Sequence, residues 1–453
     1  MIKAGQLAVA ITVRMQMDEF SYRGGTLWCE QTELREVAEK FGTPTYVYSG
    51  ATLVDHYVRF AKAFESINPL ICFSAKALSN VHLLRLLAGQ GAGIDTVSGG
   101  ELHRALVAGV DPERIVLAGV GKSEDELRAA VRHGIRCVNV ESEAEVELLA
   151  RVAREEGRRP RLAIRVNPDI APDLRTPART TTAIRGAKFG VDIERAAALF
   201  RAASADDSLR AEGFHVHIGS PIYDPQVYAT ALDRLLALTA ELEADGLRVT
   251  TLNVGGGFPA EYAEGSAPGW DDFAEAICPR LQGFVDRGGQ VVFEPGRTIA
   301  ANAGILLATV RYRKRAGDRE LVVIDAGMTH IVRAAMYDSY HFMWPVTPVN
   351  GAVPRSRDQQ STDDLVGYDV VGPICESSDY LAKGRALPAM VSGDLIAIFS
   401  AGAYGMTMTS NYNSQLRPAE VLVRGGRADL IRRRETYDDL VALELLDGLT
   451  PPL

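Results

Sequence analysis

A lysine stands where an apolar strand should end. The run "PLICF" (69–73) leads into "SAKALSN" (74–80), with Lys76 flanked by small residues. Lysine is costly to bury, so a strand-end lysine ordinarily marks the exit to water. The other reading gives it chemistry, its amine held as a Schiff base at the mouth of a barrel. Three more stretches offer reactive groups. "NVGGGF" (253–258) sets Gly255, Gly256 and Gly257 directly after an apolar run. Without Cβ atoms such a backbone can offer its N–H groups closely to an anion, although a plain turn also uses glycine. "FEPGR" (293–297) joins a carboxylate, a turn and an arginine as Glu294, Pro295, Gly296 and Arg297; a surface ion pair is the alternative. "HVHIGS" (215–220) puts His215 and His217 on one face of an extended run. A metal pair there lacks a third ligand at suitable spacing. An imidazole stacked on an aromatic cofactor, with Ser220 bonding a phosphate, agrees better with the neighbouring motifs.

These residues need a scaffold that brings them together. Eight short β-rich runs occur at 71–75, 93–97, 114–118, 136–140, 161–166, 213–218, 250–254 and 291–294, with helical patterns at 99–109, 123–133, 142–155, 225–244 and 271–287. Such alternation predicts a (β/α)8 barrel, with an open doubly wound sheet as the competing arrangement. Lys76, Asp95, Arg165, Asn167, His217, the glycines and Glu294 then fall in or just after strands, where barrel enzymes carry their chemistry. An amine, an anion cradle, an imidazole and a carboxylate at one rim are what pyridoxal 5'-phosphate requires. An acid beside the pyridine nitrogen favours its protonated form, a strong electron sink suited to loss of CO2.

After about residue 305 the pattern becomes strand-like, with "ILLATVRYRK", "ELVVIDAG", "DLVGYDVVG", "GDLIAIFS" and "AEVLVRGG". The expected layout is a leader at 1–17, a barrel at 46–305, and a β-sandwich or β-barrel-like domain from 18–45 and 306–453. The stretch "SYRGGTLWCE" supplies a strand to that second domain, and 351–364 forms a polar loop. The 453 residues carry a net charge of −9, which argues against non-specific binding to nucleic acid or anionic membranes. No apolar run approaches the roughly 20 residues of a membrane span. Five scattered cysteines without metal spacing fit a reduced, cytoplasmic setting.

The ordered set "FSAKA", "DTVSGGEL", "HVHIGS", "NVGGGF", "EPGR", "VVGPICESSDYLAK" and "AGAYGMTMTSNYNSQLRPAEV" resembles the fold-type III pyridoxal-phosphate decarboxylases from about residue 20 to the end. The resemblance implies that Lys76 carries the cofactor as a Schiff base and that His217 stacks on its ring. Ser220 and Gly255, Gly256 and Gly257 would hold the phosphate, and Glu294 the pyridine nitrogen; Asp95, Pro295, Gly296, Arg297 and Tyr404 complete the cofactor site. Arg297, Arg333, Tyr337 and Glu376 would grip the distal amino-acid end of the substrate, and Tyr404 would touch substrate as well as cofactor. Cys375, which by itself reads as a small buried hydrophobe, would be the proton donor. It would reach in, with Glu376, from the partner subunit of a homodimer. The implied reaction converts meso-2,6-diaminopimelate to L-lysine and CO2. Ornithine, lysine or a carrier-bound glutamyl group are rival substrates, and a silent regulatory homologue is a further alternative. Ser378, Ala334, Pro221 and Ala183 depart from the family pattern at positions expected near the active-site mouth.

Overall fold

Strands buried on both faces must hide one set of side chains inside a closed sheet and the other beneath helices. The computed structural model, which describes residues 18–170, 175–176, 182–263, 265–354 and 364–445, solves this with a barrel. Parallel strands Leu70–Ser74, Gly93–Thr96, Ile115–Leu117, Cys137–Val140, Arg161–Asn167, Arg210–His215, Thr251–Gly255 and Gln290–Phe293 pair in that order. The eighth returns to the first through Val292–Leu70 and Phe293–Ile71. That closure excludes the open doubly wound sheet.

The interior follows the two-residue period of a strand. Cys72, Val116, Cys137, Ala163 and Val292 form a small apolar floor inside the barrel. Two residues further along the same strands stand Ser74, Asn139 and Arg165, with Glu294 just past the eighth, all buried and all polar. One layer of packing thus separates an apolar floor from a polar mouth. The outer helices start where the sequence offers Ser-x-x-Glu. Ser98, Ser123 and Ser142 accept hydrogen bonds from the amides of Glu101, Glu126 and Glu145. Behind the glycine run, Phe258 packs its ring against Phe60, Phe64, Tyr228, Phe273 and Phe293, with centroids 5.0–5.9 Å away.

The second sheet runs Tyr380–Leu387, Val366–Val371, Arg319–Ile324, Gly304–Ala316, Thr45–Ser49, Ala419–Arg424 and Arg427–Arg432, with Leu395–Ile398 and Met343–Pro345 branching from Gly304–Ala316. Thr45–Ser49 is central to it, antiparallel to Gly304–Ala316 and parallel to Ala419–Arg424. The chain enters the barrel only at the helix Gly50–Ala63. "SYRGGTLWCE" does not join this sheet. Phe20–Arg23, Thr26–Cys29 and Thr32–Glu33 form their own three-stranded sheet, tied across by the Leu27 amide donating to the Val346 carbonyl at 2.9 Å. The expected leader lies outside the described residues, as does most of the 351–364 loop. Among the described residues no helix is long and apolar enough to cross a membrane.

Phe258 is 1% exposed at the centre of its aromatic cluster. Phe258→Ala should therefore cost about 3–5 kcal/mol, read as a lower midpoint in chemical denaturation.

Candidate active site

Lys76 leaves the first barrel strand and its Nζ lies 2.7 Å from Asp95 Oδ2 on the second. Ser74 Oγ donates to the same carboxylate oxygen at 2.7 Å, while Asp95 Oδ1 is buried with no partner. Burial pulls the Lys76 ammonium down, but Asp95, Tyr404 and Glu294 outweigh it and hold its pKa above the ordinary value. Asp95 itself is pushed up, first by burial and then by Glu294, against the pull of Lys76.

Glu294 is 2% exposed. Its Oε1 accepts from Asn253 Nδ2 at 2.7 Å and Asn139 Nδ2 at 3.2 Å, and its Oε2 lies 3.2 Å from His215 Nε2. Burial opposes ionisation, yet His215 and Lys76 more than offset it and keep the carboxyl below its usual range. A carboxylate with one oxygen still able to accept suits a protonated pyridine nitrogen. His217 has a different task from His215. Its Nδ1 accepts from the Gly256 amide at 3.2 Å, and burial, with Lys76 and Arg165, holds it neutral. A neutral ring fixed through one nitrogen is a flat apolar platform.

The glycines answer first to the neighbouring strands. A Cβ on Gly255, whose φ is +74°, would lie 2.1 Å from the Val216 carbonyl oxygen, and one on Gly256 would lie 2.1 Å from that of Glu294. One on Gly257, whose φ is +108°, would lie 2.4 Å from the Gly219 carbonyl oxygen, so backbone crowding requires all three glycines, a reason beyond the anion cradle or plain turn that the sequence suggested. Beside them, Arg297 Nε donates to Ser220 Oγ at 3.3 Å, and the first amides of the short helix Arg297–Ala300 are not consumed by the helix itself.

Next to this rim opens a cavity of about 450 Å³ lined by His217, Ser220, Arg297, Arg333, Tyr337 and Tyr404, and also by Arg175, Phe189, Pro221, Tyr223, Tyr262 and Tyr340. Arg333 and Tyr337 come from the helix Arg333–Tyr337 of the second domain. Tyr404, at φ +56°, donates its amide to the Ala77 carbonyl at 2.8 Å, and its ring lies 4.8 Å from the Arg297 guanidinium. A second-domain loop is thereby clasped to the Lys76 turn. Cys375 and Glu376 do not line the cavity. Cys375 is exposed, contrary to its reading as a buried hydrophobe; its amide donates to Asn413 Oδ1 at 2.8 Å, and Glu376 Oε1 accepts from Tyr412 at 2.7 Å.

Of the four departures from the family pattern, Pro221 lines the cavity and Ala334 lies on the helix carrying Arg333. Ala183 is buried, and Ser378 is exposed beside Cys375. Sequence reasoning missed Tyr262, Asn139, Asn253 and His341. The two asparagines sit one period inside strands that the sequence had located, and that position was their available signal. The buried acid, the lysine with an unpartnered carboxylate oxygen beside it, and the neutral imidazole together fit pyridoxal 5'-phosphate.

Residues 51–301 match the family model described as "Pyridoxal-dependent decarboxylase, pyridoxal binding domain". The chain is 44% identical to the diaminopimelate decarboxylase of Pseudomonas aeruginosa over 95% of its own length and 99% of that protein. Among solved structures it is similar to the diaminopimelate decarboxylase of M. jannaschii in complex with L-lysine, with a TM-score of 0.88 and 32% identity over 95% of this chain and 99% of that one. The Helicobacter pylori enzyme complexed with L-lysine gives a TM-score of 0.84 and 35% identity over 91% and 99%.

Asp95→Asn removes the main group opposing desolvation of the Lys76 ammonium, so the amine's pKa should fall. In the cofactor-free protein at pH 8, trace acetylation followed by peptide mapping should label Lys76 several-fold faster in the variant, since each unit of pKa is a factor of about ten in free amine. An unchanged rate would show that Asp95 does not control the amine.

Proposed function

The chain belongs to the diaminopimelate decarboxylases of the pyridoxal-dependent decarboxylase family, and from that membership we propose how its residues divide the work. Its reaction is the decarboxylation of diaminopimelate, with pyridoxal 5'-phosphate as cofactor. When bound, the cofactor supplies an electron sink for the pair left behind by CO2. Lys76 anchors it through its amine, and Asp95 orients that amine. Glu294 would hold the pyridine nitrogen and favour its protonated form, and the neutral His217 ring would stack on the cofactor. Ser220, Gly255, Gly256 and Gly257, with the amides of Gly296 and Arg297, receive the phosphate. The observation that carries the assignment is Glu294, a carboxylate buried at the barrel mouth and held by Asn139, His215 and Asn253.

Arg297 and Arg333 suit the distal carboxylate of the substrate, because guanidinium forks match carboxylate geometry. Tyr337 adds a phenol to the same wall, and Tyr404 adds a ring that meets both cofactor and substrate. Glu376 suits the distal ammonium. Cys375 Sγ holds the proton delivered to the carbon that CO2 has left. Both residues are exposed on a loop outside the cavity, which supports their service to the site of a second subunit in a cytoplasmic homodimer. A two-fold dimer gives each subunit what it lends the other.

With cofactor present, the purified protein should release CO2 and L-lysine from meso-2,6-diaminopimelate, and turn over L-lysine or ornithine poorly. Either of these decarboxylated as fast as diaminopimelate would reassign the substrate. Borohydride reduction should leave the pyridoxyl group on Lys76. Glu294→Gln should keep cofactor binding yet slow turnover by about a hundredfold or more.

Lys76→Ala and Cys375→Ala chains, each nearly inactive, should complement when mixed. Half of the chains then sit in heterodimers with one intact site each, giving roughly a quarter of wild-type activity. Inactivity despite demonstrated subunit exchange would place both residues in one chain's site.

A further inference from the structure

Arg297 and Arg333 bring two like charges to one cavity, and each is held from a different side. Arg333 Nη1 lies 3.1 Å from His341 Nε2 and its Nη2 donates to Ser339 Oγ at 3.3 Å. His341 Nδ1 donates to the Phe399 carbonyl at 2.9 Å, which leaves the Nε2 lone pair to accept from the arginine. Burial and then Arg333 bring His341 down to about 3, so it stays neutral. Arg297 is fixed from the barrel side through Ser220, while the Tyr404 ring of the second domain lies 4.8 Å from its guanidinium.

Tyr262 stands between them. It follows the glycine run on the loop after the seventh strand. Its hydroxyl accepts from Arg297 Nη1 at 3.0 Å, while its ring centroid lies 4.7 Å from the Arg333 guanidinium carbon. The same ring meets His341 edge to face at 90°. The hydroxyl thus meets Arg297, the ring face lies toward Arg333, and the same phenol is also a hydrogen-bond partner of Arg333, so one side chain engages both cations.

We propose that Tyr262 is a positioning residue that sets the spacing and orientation of Arg297 and Arg333, so that both can receive the distal carboxylate of the substrate. The proposal rests on the substrate reading above. The electrostatics agree: burial raises the phenol's pKa, but Arg333 and Arg297 bring it below the ordinary value, because two nearby cations favour negative charge on that oxygen. Without it, the guanidiniums would lose a shared partner and gain mutual repulsion.

The test uses the cofactor-loaded enzyme and two inhibitors that differ by a carboxylate, L-lysine and 1,5-diaminopentane. Tyr262→Phe keeps the ring and deletes the acceptor. It should raise KM for diaminopimelate about tenfold, the loss expected for one hydrogen bond to a charged group, with kcat within about threefold. Inhibition by L-lysine should weaken by a similar factor, and inhibition by 1,5-diaminopentane should not move. Tyr262→Gln, which keeps an acceptor without the ring, should hold KM closer to wild type than Tyr262→Leu. Equal weakening of both inhibitors, or unchanged KM in Tyr262→Phe, would overturn the proposal. A wild-type enzyme inert on diaminopimelate would overturn the substrate reading instead.

Discussion

The barrel mouth is organised around a carboxylate that water does not reach. Removing a charge from water costs several kcal/mol unless well-placed partners replace the solvent. Glu294 receives those partners from three other strands: Asn139 on the fourth, His215 on the sixth and Asn253 on the seventh. Asn253 Oδ1 also accepts from the Gly255 amide at 2.9 Å, so the side chain that steadies the acid starts the glycine turn as well. Asp95 adds a second buried acid against the single amine of Lys76. The interior is therefore biased toward negative charge, the environment in which a cationic ring is most at home.

A second constraint joins the domains at this rim. Glu420, buried in the second sheet, accepts from Tyr48 on one oxygen and from Asn80, just past the Lys76 turn, on the other, each at 2.9 Å. With the Tyr404 amide on Ala77, these bonds span the seam within a few residues of Lys76. Lys76 is positioned as much by the β domain as by its own strand.

The alternating runs made the barrel legible, because the eight are short and apolar and most are followed by an amphipathic helix. The helices 99–109, 123–133 and 142–155 were legible too, through the three- and four-residue spacing of their apolar residues. Thr45–Ser49 was hidden because its partners lie more than 250 residues away, and a strand buried on both faces shows no alternation. The residues gathered at the barrel mouth stood out as polar groups at strand ends. Tyr262 and His341 did not, since an aromatic residue in a loop has no spacing to betray it. The glycine run stood out in the sequence, but the collision of a Gly256 Cβ with the Glu294 carbonyl required coordinates.

The central position of Thr45–Ser49 also orders events on the ribosome. This strand emerges early, yet its parallel neighbour Ala419–Arg424 is translated near the end. At about 5–20 residues per second, tens of seconds separate the two. All eight barrel strands are synthesised in that interval, and the strand keeps both edges unpaired until Gly304–Ala316 is made and one edge unpaired until Ala419–Arg424 follows, a state prone to association with other chains. The second sheet is thus completed last, and Arg333 and Tyr404 close over a lysine pocket whose barrel walls were translated before them.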